Sequence, residues 1–298
     1  MTQNILTNKN FLINLHSFYQ LMKPRVMSLV IFTCVVGLII APVQVDFITA
    51  TLSLAAVALG AGAAGSLNMW YESDLDALMK RTCLRPIPTG KVKKENALIF
   101  GIITSIVSVL ALYFFSNFLS ALMLTITILF YVVVYTMWLK QRTPQNIVIG
   151  GAAGAFPPII GWTITTNYIS FEPIILFLII FFWTPSHFWA LSLFKTEDYS
   201  NAKIPMLPVV SGIKTTKINI FVYSVILLII SMLPVYLGYF GLLYFISSAL
   251  LGIYYVFLCY KLLISSGDYY KISKKIFFYS ILYLFLIFSI ILIDNIII

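Results

Sequence analysis

Charge is what this sequence has least of. Only 10% of its 298 residues are charged, 61% are hydrophobic, and the mean hydropathy is +0.99. Such a chain has too few polar groups to cover a folded surface in water, which excludes the soluble globular class. Cysteine is scarce as well: Cys34, Cys83 and Cys259 lie far apart and form no CxxC pair, so neither a zinc site nor a disulfide framework is implied. Segments of about ten residues alternating apolar and polar are missing, which excludes a membrane β-barrel. The first 25 residues contain no apolar core ahead of a small-residue cleavage site and no Arg-rich amphipathic pattern. Neither a cleavable signal peptide nor an organelle presequence is therefore expected.

Long apolar runs take their place. A helix needs about 20 residues to cross a bilayer core of roughly 30 Å. Nine candidate spans are present, at approximately 27–43, 47–67, 97–115, 118–139, 146–165, 173–194, 218–240, 241–260 and 276–293. The expected fold is an all-α integral membrane bundle of nine transmembrane helices, one domain over residues 1–298. The pairs at 97–139 and 218–260 have almost no polar break and read as tight hairpins. Basic residues set the orientation. The N-terminal segment 1–25 and the loops after spans two, four, six and eight hold all 19 Lys and Arg residues. The opposite side carries only Asp46, Glu172 and Asp294. Under the positive-inside rule the N-terminus and those four loops are cytoplasmic. The net charge of +9 is thereby explained without a nucleic-acid partner. A bacterial inner membrane is the expected location.

Connections in helical bundles usually take about two to eight residues. The cytoplasmic segments 68–96 and 183–217 are longer and polar, and are read as functional loops. A third polar stretch, KQRTPQN, occupies 140–146, whereas 261–275 reads as an ordinary basic loop beside the membrane. Two spans are rich in small residues, with GAGAAG at 60–65 and GGAAGAFPP at 150–158. Small residues permit close helix packing. Pro157 and Pro158 also suit a helix broken beside a cavity, and the two readings are compatible.

Glu72, Asp74 and Asp76 concentrate three of the ten acidic residues within five positions, and Lys80, Arg81 and Arg85 follow directly. Asn68, Glu72 and Asp76 are spaced i, i+4, i+8, which places them along one helix face, while Asp74 projects elsewhere. Three oxygen-bearing side chains at the end of a span suit Mg²⁺, a hard cation that keeps waters and substrate phosphates in its shell. The plain alternative is a solvated acidic helix end neutralised by Lys80 and Arg81. Ionisable groups at membrane depth favour a functional site. His187, one of two histidines, lies among Trp183, Phe188 and Trp189; the other, His16, is in the polar N-terminal segment. Alone, His187 reads as an interfacial or hydrogen-bonding residue, and the Trp residues as an interface belt.

The pattern N-x-x-x-(D/E)-x-x-x-D closing a second span resembles the first Asp-rich motif of the intramembrane, 4-hydroxybenzoate polyprenyltransferase-type, prenyltransferase superfamily. Within it the chain is most similar to the haem-farnesylating branch, the protohaem IX farnesyltransferases. The matching stretches are LMKPRVMSL (21–29), N-x-x-x-E-x-D-x-D-x-x-M-x-RT-x-x-RP (68–86), NIVIGGAAGAFPPIIGW (146–162), WTPSHFWALSL (183–193) and DYSNAKIPMLPVV (198–210). Together they cover roughly residues 20–260 in order.

The resemblance implies transfer of farnesyl from farnesyl diphosphate, with addition of water, to a vinyl group of haem B. The product would be haem O for haem-copper oxidases, with haem A synthase or terminal-oxidase assembly as downstream partners. It implies that Asn68, Glu72 and Asp76 hold Mg²⁺ and that Lys80, Arg81 and Arg85 contact phosphate oxygens. Lys140 and Arg142 either close the same pocket or serve topology alone. The superfamily's second motif, D-x-x-x-D, is reduced here, because Phe194 and Ala202 stand four residues either side of Asp198. Asp198 is assigned to metal or water positioning, Lys195 to a phosphate or haem propionate, and His187 to iron ligation or acid–base work. The rival readings are a prenyltransferase with a quinone-precursor or other aromatic acceptor, and a polytopic transporter. Transporters bury charges mid-span, whereas every charged residue here lies at a span end or beyond.

Overall fold

The computed structural model describes residues 15–267 and 269–297, so residues 1–14 of the N-terminal segment lie outside the described residues. A short helix α1 (Leu15–Leu21) meets α2 (Pro24–Ile39) at 55° across Lys23. Pro24 starts α2, where its missing N–H costs nothing and its fixed φ suits a first helical turn. The chain crosses back in α3 (Phe47–Tyr71), capped by Asp46, whose Oδ1 accepts from Ile48 N and Thr49 N at 3.0 Å each. A one-turn helix α4 (Ser73–Leu78) follows directly. Then come α5 (Lys94–Phe115) and α6 (Phe118–Leu129), the latter continuing as a π-helix over Phe130–Leu139.

The fifth crossing is split into α7 (Asn146–Ala155) and α8 (Pro157–Thr166), because Pro157 cannot donate back into α7. The long helix α9 (Phe171–Phe194) precedes two short helices, α10 (Thr196–Asn201) and α11 (Leu207–Val210). Three spans close the bundle: α12 (Gly212–Tyr236), α13 (Leu242–Ile264) and α14 (Tyr269–Ile297). No strand occurs among the described residues. Among the described residues eight helices are long and apolar enough to cross a membrane, or nine with α1 and α2 counted as one bent span. They follow the order that hydropathy predicts.

Two expectations about loops need correction. Residues 183–194 of the expected loop 183–217 are the last turns of α9, and 212–217 begin α12. Only 195–211 connects them. Likewise 68–71 belongs to α3 and 73–78 to α4, so the non-helical part of 68–96 is 79–93. Hydropathy places the end of the sixth span at 194, where α9 ends, but stops the second at 67, whereas α3 continues to Tyr71.

The small residues are where backbones touch. A Cβ on Gly37 would collide with the Pro158 carbonyl, and one on Gly161 with the Cys34 carbonyl, so α2 and α8 meet at backbone contact. Gly62 faces Met22, and Gly65 faces the Leu21 carbonyl and the Lys23 stem at 3.4–3.6 Å. The GAGAAG stretch thus receives the turn between α1 and α2. Gly161→Ala is expected to cost about 1–3 kcal/mol and to lower the midpoint of thermal unfolding in detergent. Gly154→Ala, with nothing within 4 Å of a new Cβ, should leave it within experimental error. Equal midpoints for the two variants would refute this packing.

On the side away from the basic loops, the buried Asp294 of α14 accepts from Gly241 N (2.6 Å) and Tyr244 N (3.1 Å). One helix end thereby caps the start of another.

Candidate active site

Asn68, Glu72 and Asp76 are all buried, at 2%, 2% and 1% exposure, although α3 ends and α4 begins at Glu72. The shared face survives because helical bonding runs through the joint: Glu72 N donates to Asn68 O (3.0 Å) and Asp76 N to Glu72 O (2.8 Å). Asp74 points outward, 89% exposed, and pairs with Lys94 at 3.0 Å.

Each buried oxygen ligand faces one cation. Lys23 Nζ donates to Asn68 Oδ1 at 2.5 Å. Lys140 Nζ lies 2.5 Å from both buried Glu72 oxygens, an ion pair in which it donates to Oε2. Arg85 donates from one terminal nitrogen to both Asp76 oxygens, at 2.8 and 2.7 Å. Three positive groups therefore line a wall of two carboxylates and an amide. Burial, reinforced by the nearby Arg85 guanidinium, brings Lys23 down to about 7 from the usual 10.5, with Glu72 opposing. An arriving polyanion favours the protonated ammonium.

The π-helix builds the facing side. Its wider turn directs Thr136 Oγ1 onto Tyr131 O at 2.8 Å and Lys140 N onto Tyr135 O at 3.0 Å. Thr136 Oγ1 in turn accepts from Asn68 Nδ2 at 2.9 Å, which orients the amide with its oxygen toward Lys23. π-helical turns gather at functional sites, and this one carries both Thr136 and Lys140.

A small apolar cluster joins the polar segments at the cytoplasmic end. Met79, Ile147, Tyr199, Ala202, Ile204 and Met206 pack together, with Tyr135 and Phe188 against them. Asp198 is buried in this region, its Oδ2 has no hydrogen bond, and Lys195 Nζ stands 3.9 Å away. Lys80, Arg81 and Arg142 are exposed. His187 sits within α9, seven residues before its end, and not in a loop.

Among the described residues no group of three or more His, Cys, Asp or Glu side chains could hold a metal ion. A metal at this wall would rely on Asn68, Glu72 and Asp76 and complete its shell with substrate oxygens. The donor set of two buried carboxylates and a buried amide oxygen fits a hard cation.

Lys23 is the residue that the sequence reading leaves out of the site. Its signal was present in LMKPRVMSL, where a lysine precedes the proline that starts a span.

Comparison with known proteins decides the family. The model of the UbiA prenyltransferase family matches residues 30–290. The chain belongs to the UbiA prenyltransferase family. A relative named protoheme IX farnesyltransferase, from Pelagibacter ubique, is 59% identical over 99% of this chain and 100% of its own length. Another of the same name, from Parvibaculum lavamentivorans, is 51% identical over 93% of this chain and 88% of its own. This UbiA-family chain is thus a prenyltransferase. Its fold is shared with a solved digeranylgeranylglyceryl phosphate synthase (TM-score 0.79, 20% identity, covering 96% of this chain and 99% of that one). It is also shared with a UbiA homologue from Archaeoglobus fulgidus bound to DMAPP and Mg²⁺ (TM-score 0.68, 17% identity, 92% and 99% covered).

Proposed function

We propose that this UbiA-family chain transfers farnesyl from farnesyl diphosphate to a vinyl group of haem B, with addition of water, giving haem O and diphosphate. The observation that carries this reading is the 59% identity, end to end, with a relative named for that reaction. The buried wall of Asn68, Glu72 and Asp76 with Lys23, Arg85 and Lys140 supports it. A bacterial inner membrane suits the nine spans and the bacterial relatives.

In this reading Lys23, Arg85 and Lys140 bind the diphosphate oxygens, Arg85 through its planar fork and the lysines as point charges. Asn68, Glu72 and Asp76 would hold a divalent metal, Mg²⁺ by their oxygen chemistry, which when bound neutralises charge developing on the leaving group. Asp198, with its partnerless oxygen, positions a water or a further cation at the same mouth. Lys195 and Arg81 stand at the rim for phosphate or propionate contacts; Lys80 and Arg142 add to the positive potential outside.

The chemistry balances as follows. The allylic C–O bond breaks with its electron pair leaving on diphosphate. The haem vinyl π pair then forms the new C–C bond. Water adds to the resulting cation beside the pyrrole and releases one proton. Free water would quench the first cation, so the mouth must exclude it. The packed Met79–Ile147–Tyr199–Met206 cluster, with Tyr135 of the π-helix against it, supplies apolar surface for that exclusion. Deeper, Phe156, Phe177 and Phe181 form an aromatic ladder with centroids 5.2 and 5.8 Å apart, a surface for an isoprenoid chain and its charge.

The test is mass spectrometry of haems extracted from cells with and without the chain, paired with purified protein offered haem B or 4-hydroxybenzoate. A haem heavier than haem B by farnesyl plus water is expected. Prenylation of 4-hydroxybenzoate with haem B untouched would overturn the assignment.

A further inference from the structure

His187 is buried, with rings packed on its two faces and one edge. Its ring lies between Trp183 (centroids 4.3 Å, planes 18° apart) and Phe277 of α14 (4.6 Å, 23°). Phe188 meets it edge-on at 5.0 Å. With both faces covered the imidazole cannot flip, and only its in-plane nitrogens are left to act.

Nδ1 is 2.6 Å from Ser280 Oγ, a buried hydroxyl on α14. That hydroxyl donates to the Phe277 carbonyl at 2.7 Å. A serine has a single O–H proton, and with it directed to Phe277 the oxygen can only accept from the imidazole. In that arrangement Nδ1 carries the ring proton and Nε2 keeps its lone pair. The Trp183 indole donates to the Ser280 carbonyl at 2.7 Å, fastening the same turn of α9 to the same turn of α14. Among the described residues Ser280 is the hydrogen-bond partner of this ring.

We propose that Ser280 is a positioning residue that holds His187 as the Nδ1–H tautomer and so presents Nε2 as a ligand to the iron of the acceptor haem. This rests on the haem-acceptor reading above. Metal-binding histidines almost always donate their second ring N–H to a fixed acceptor, which sets ring orientation and raises the basicity of the ligating nitrogen. His187 and Ser280 have that arrangement, and the two stacked aromatic rings remove the remaining rotation. Lys195 lies eight residues further along the chain, about 12 Å at helical rise, toward the cytoplasmic end where propionates would be met. A porphyrin fixed by its iron presents one vinyl group, and not the other, to the allylic carbon.

The test uses purified full-length protein in nanodiscs, titrated with ferric haem B in the absence of farnesyl diphosphate. Affinity, Soret absorption and electron paramagnetic resonance are read. Wild type and Ser280→Thr are expected to show histidine-ligated iron, and His187→Ala to lose that signature. Imidazole added to His187→Gly should restore it. Ser280→Ala is expected to bind haem roughly 10–100-fold more weakly. Thermal unfolding without haem is measured on each variant, because a purely structural serine would show its whole effect there. A His187→Ala spectrum identical to wild type overturns the ligand role. A Ser280→Ala protein with wild-type affinity and spectrum overturns the positioning role. If wild type binds no haem, the acceptor reading itself fails and this proposal falls with it.

Discussion

Glu72→Gln is expected to lower haem O formation by roughly three orders of magnitude while the protein still accumulates. The carboxylate is 2% exposed and meets Lys140 at 2.5 Å. Gln keeps the shape and an acceptor oxygen but removes the negative charge that a divalent cation needs. Departure of diphosphate would then lose much of its neutralisation at the moment charge develops. The substitution also leaves Lys140 without its buried counter-ion, and breaking such a pair costs about 3–5 kcal/mol. A second variant separates the two effects. Glu72→Gln with Lys140→Met removes both charges, so it should recover most of the stability and none of the activity. Haem O is measured by mass spectrometry and protein level by immunoblot. Wild-type haem O at normal protein level in Glu72→Gln would end the metal assignment.

Lys23→Met should reduce kcat/KM for farnesyl diphosphate by about 100-fold, whereas Lys80→Ala should change it by no more than about threefold. The contrast is one of burial. Lys23 is half-buried and donates to Asn68, and a hydrogen bond from a charged group there contributes about 1.5–3 kcal/mol. Met preserves the stem that packs beside Gly65. Lys80 is exposed, so water and salt screen its pull on a phosphate. Steady-state kinetics with varied farnesyl diphosphate decides between them. A larger loss in Lys80→Ala than in Lys23→Met would return the phosphate contacts to the cations beside the acidic cluster.

Much of the fold was legible because each span is a run of apolar residues bounded by charge, and the bilayer imposes its length. The expected orientation rests on every Lys and Arg falling on one side. The acidic face was legible for a local reason as well: i, i+4, i+8 spacing reports one helix side, and continuous backbone bonding at Glu72 kept that face intact across the break. The π-helix left no such mark. Its sequence, FYVVVYTMWL, is as apolar as any span, and only packing against Asn68 shows what the wider turn is for. Residues 183–194 fall in both the span 173–194 and the loop 183–217 expected from sequence, and the structure keeps the span, with α9 ending at Phe194.

By itself, then, the sequence determined a bundle of eight or nine helical spans and an acidic, Asn-containing face suited to metal and diphosphate. Those properties are written in periodicity and charge within about ten to twenty neighbouring residues. Which cations meet that face was decided only by tertiary structure. Lys23 and Lys140 stand 45 and 68 positions from their partners, and Ser280 stands 93 from His187. No local rule relates residues so far apart. Backbone contacts at glycine and a proline-broken span bring them together, because a membrane interior leaves buried polar groups no partner except one another.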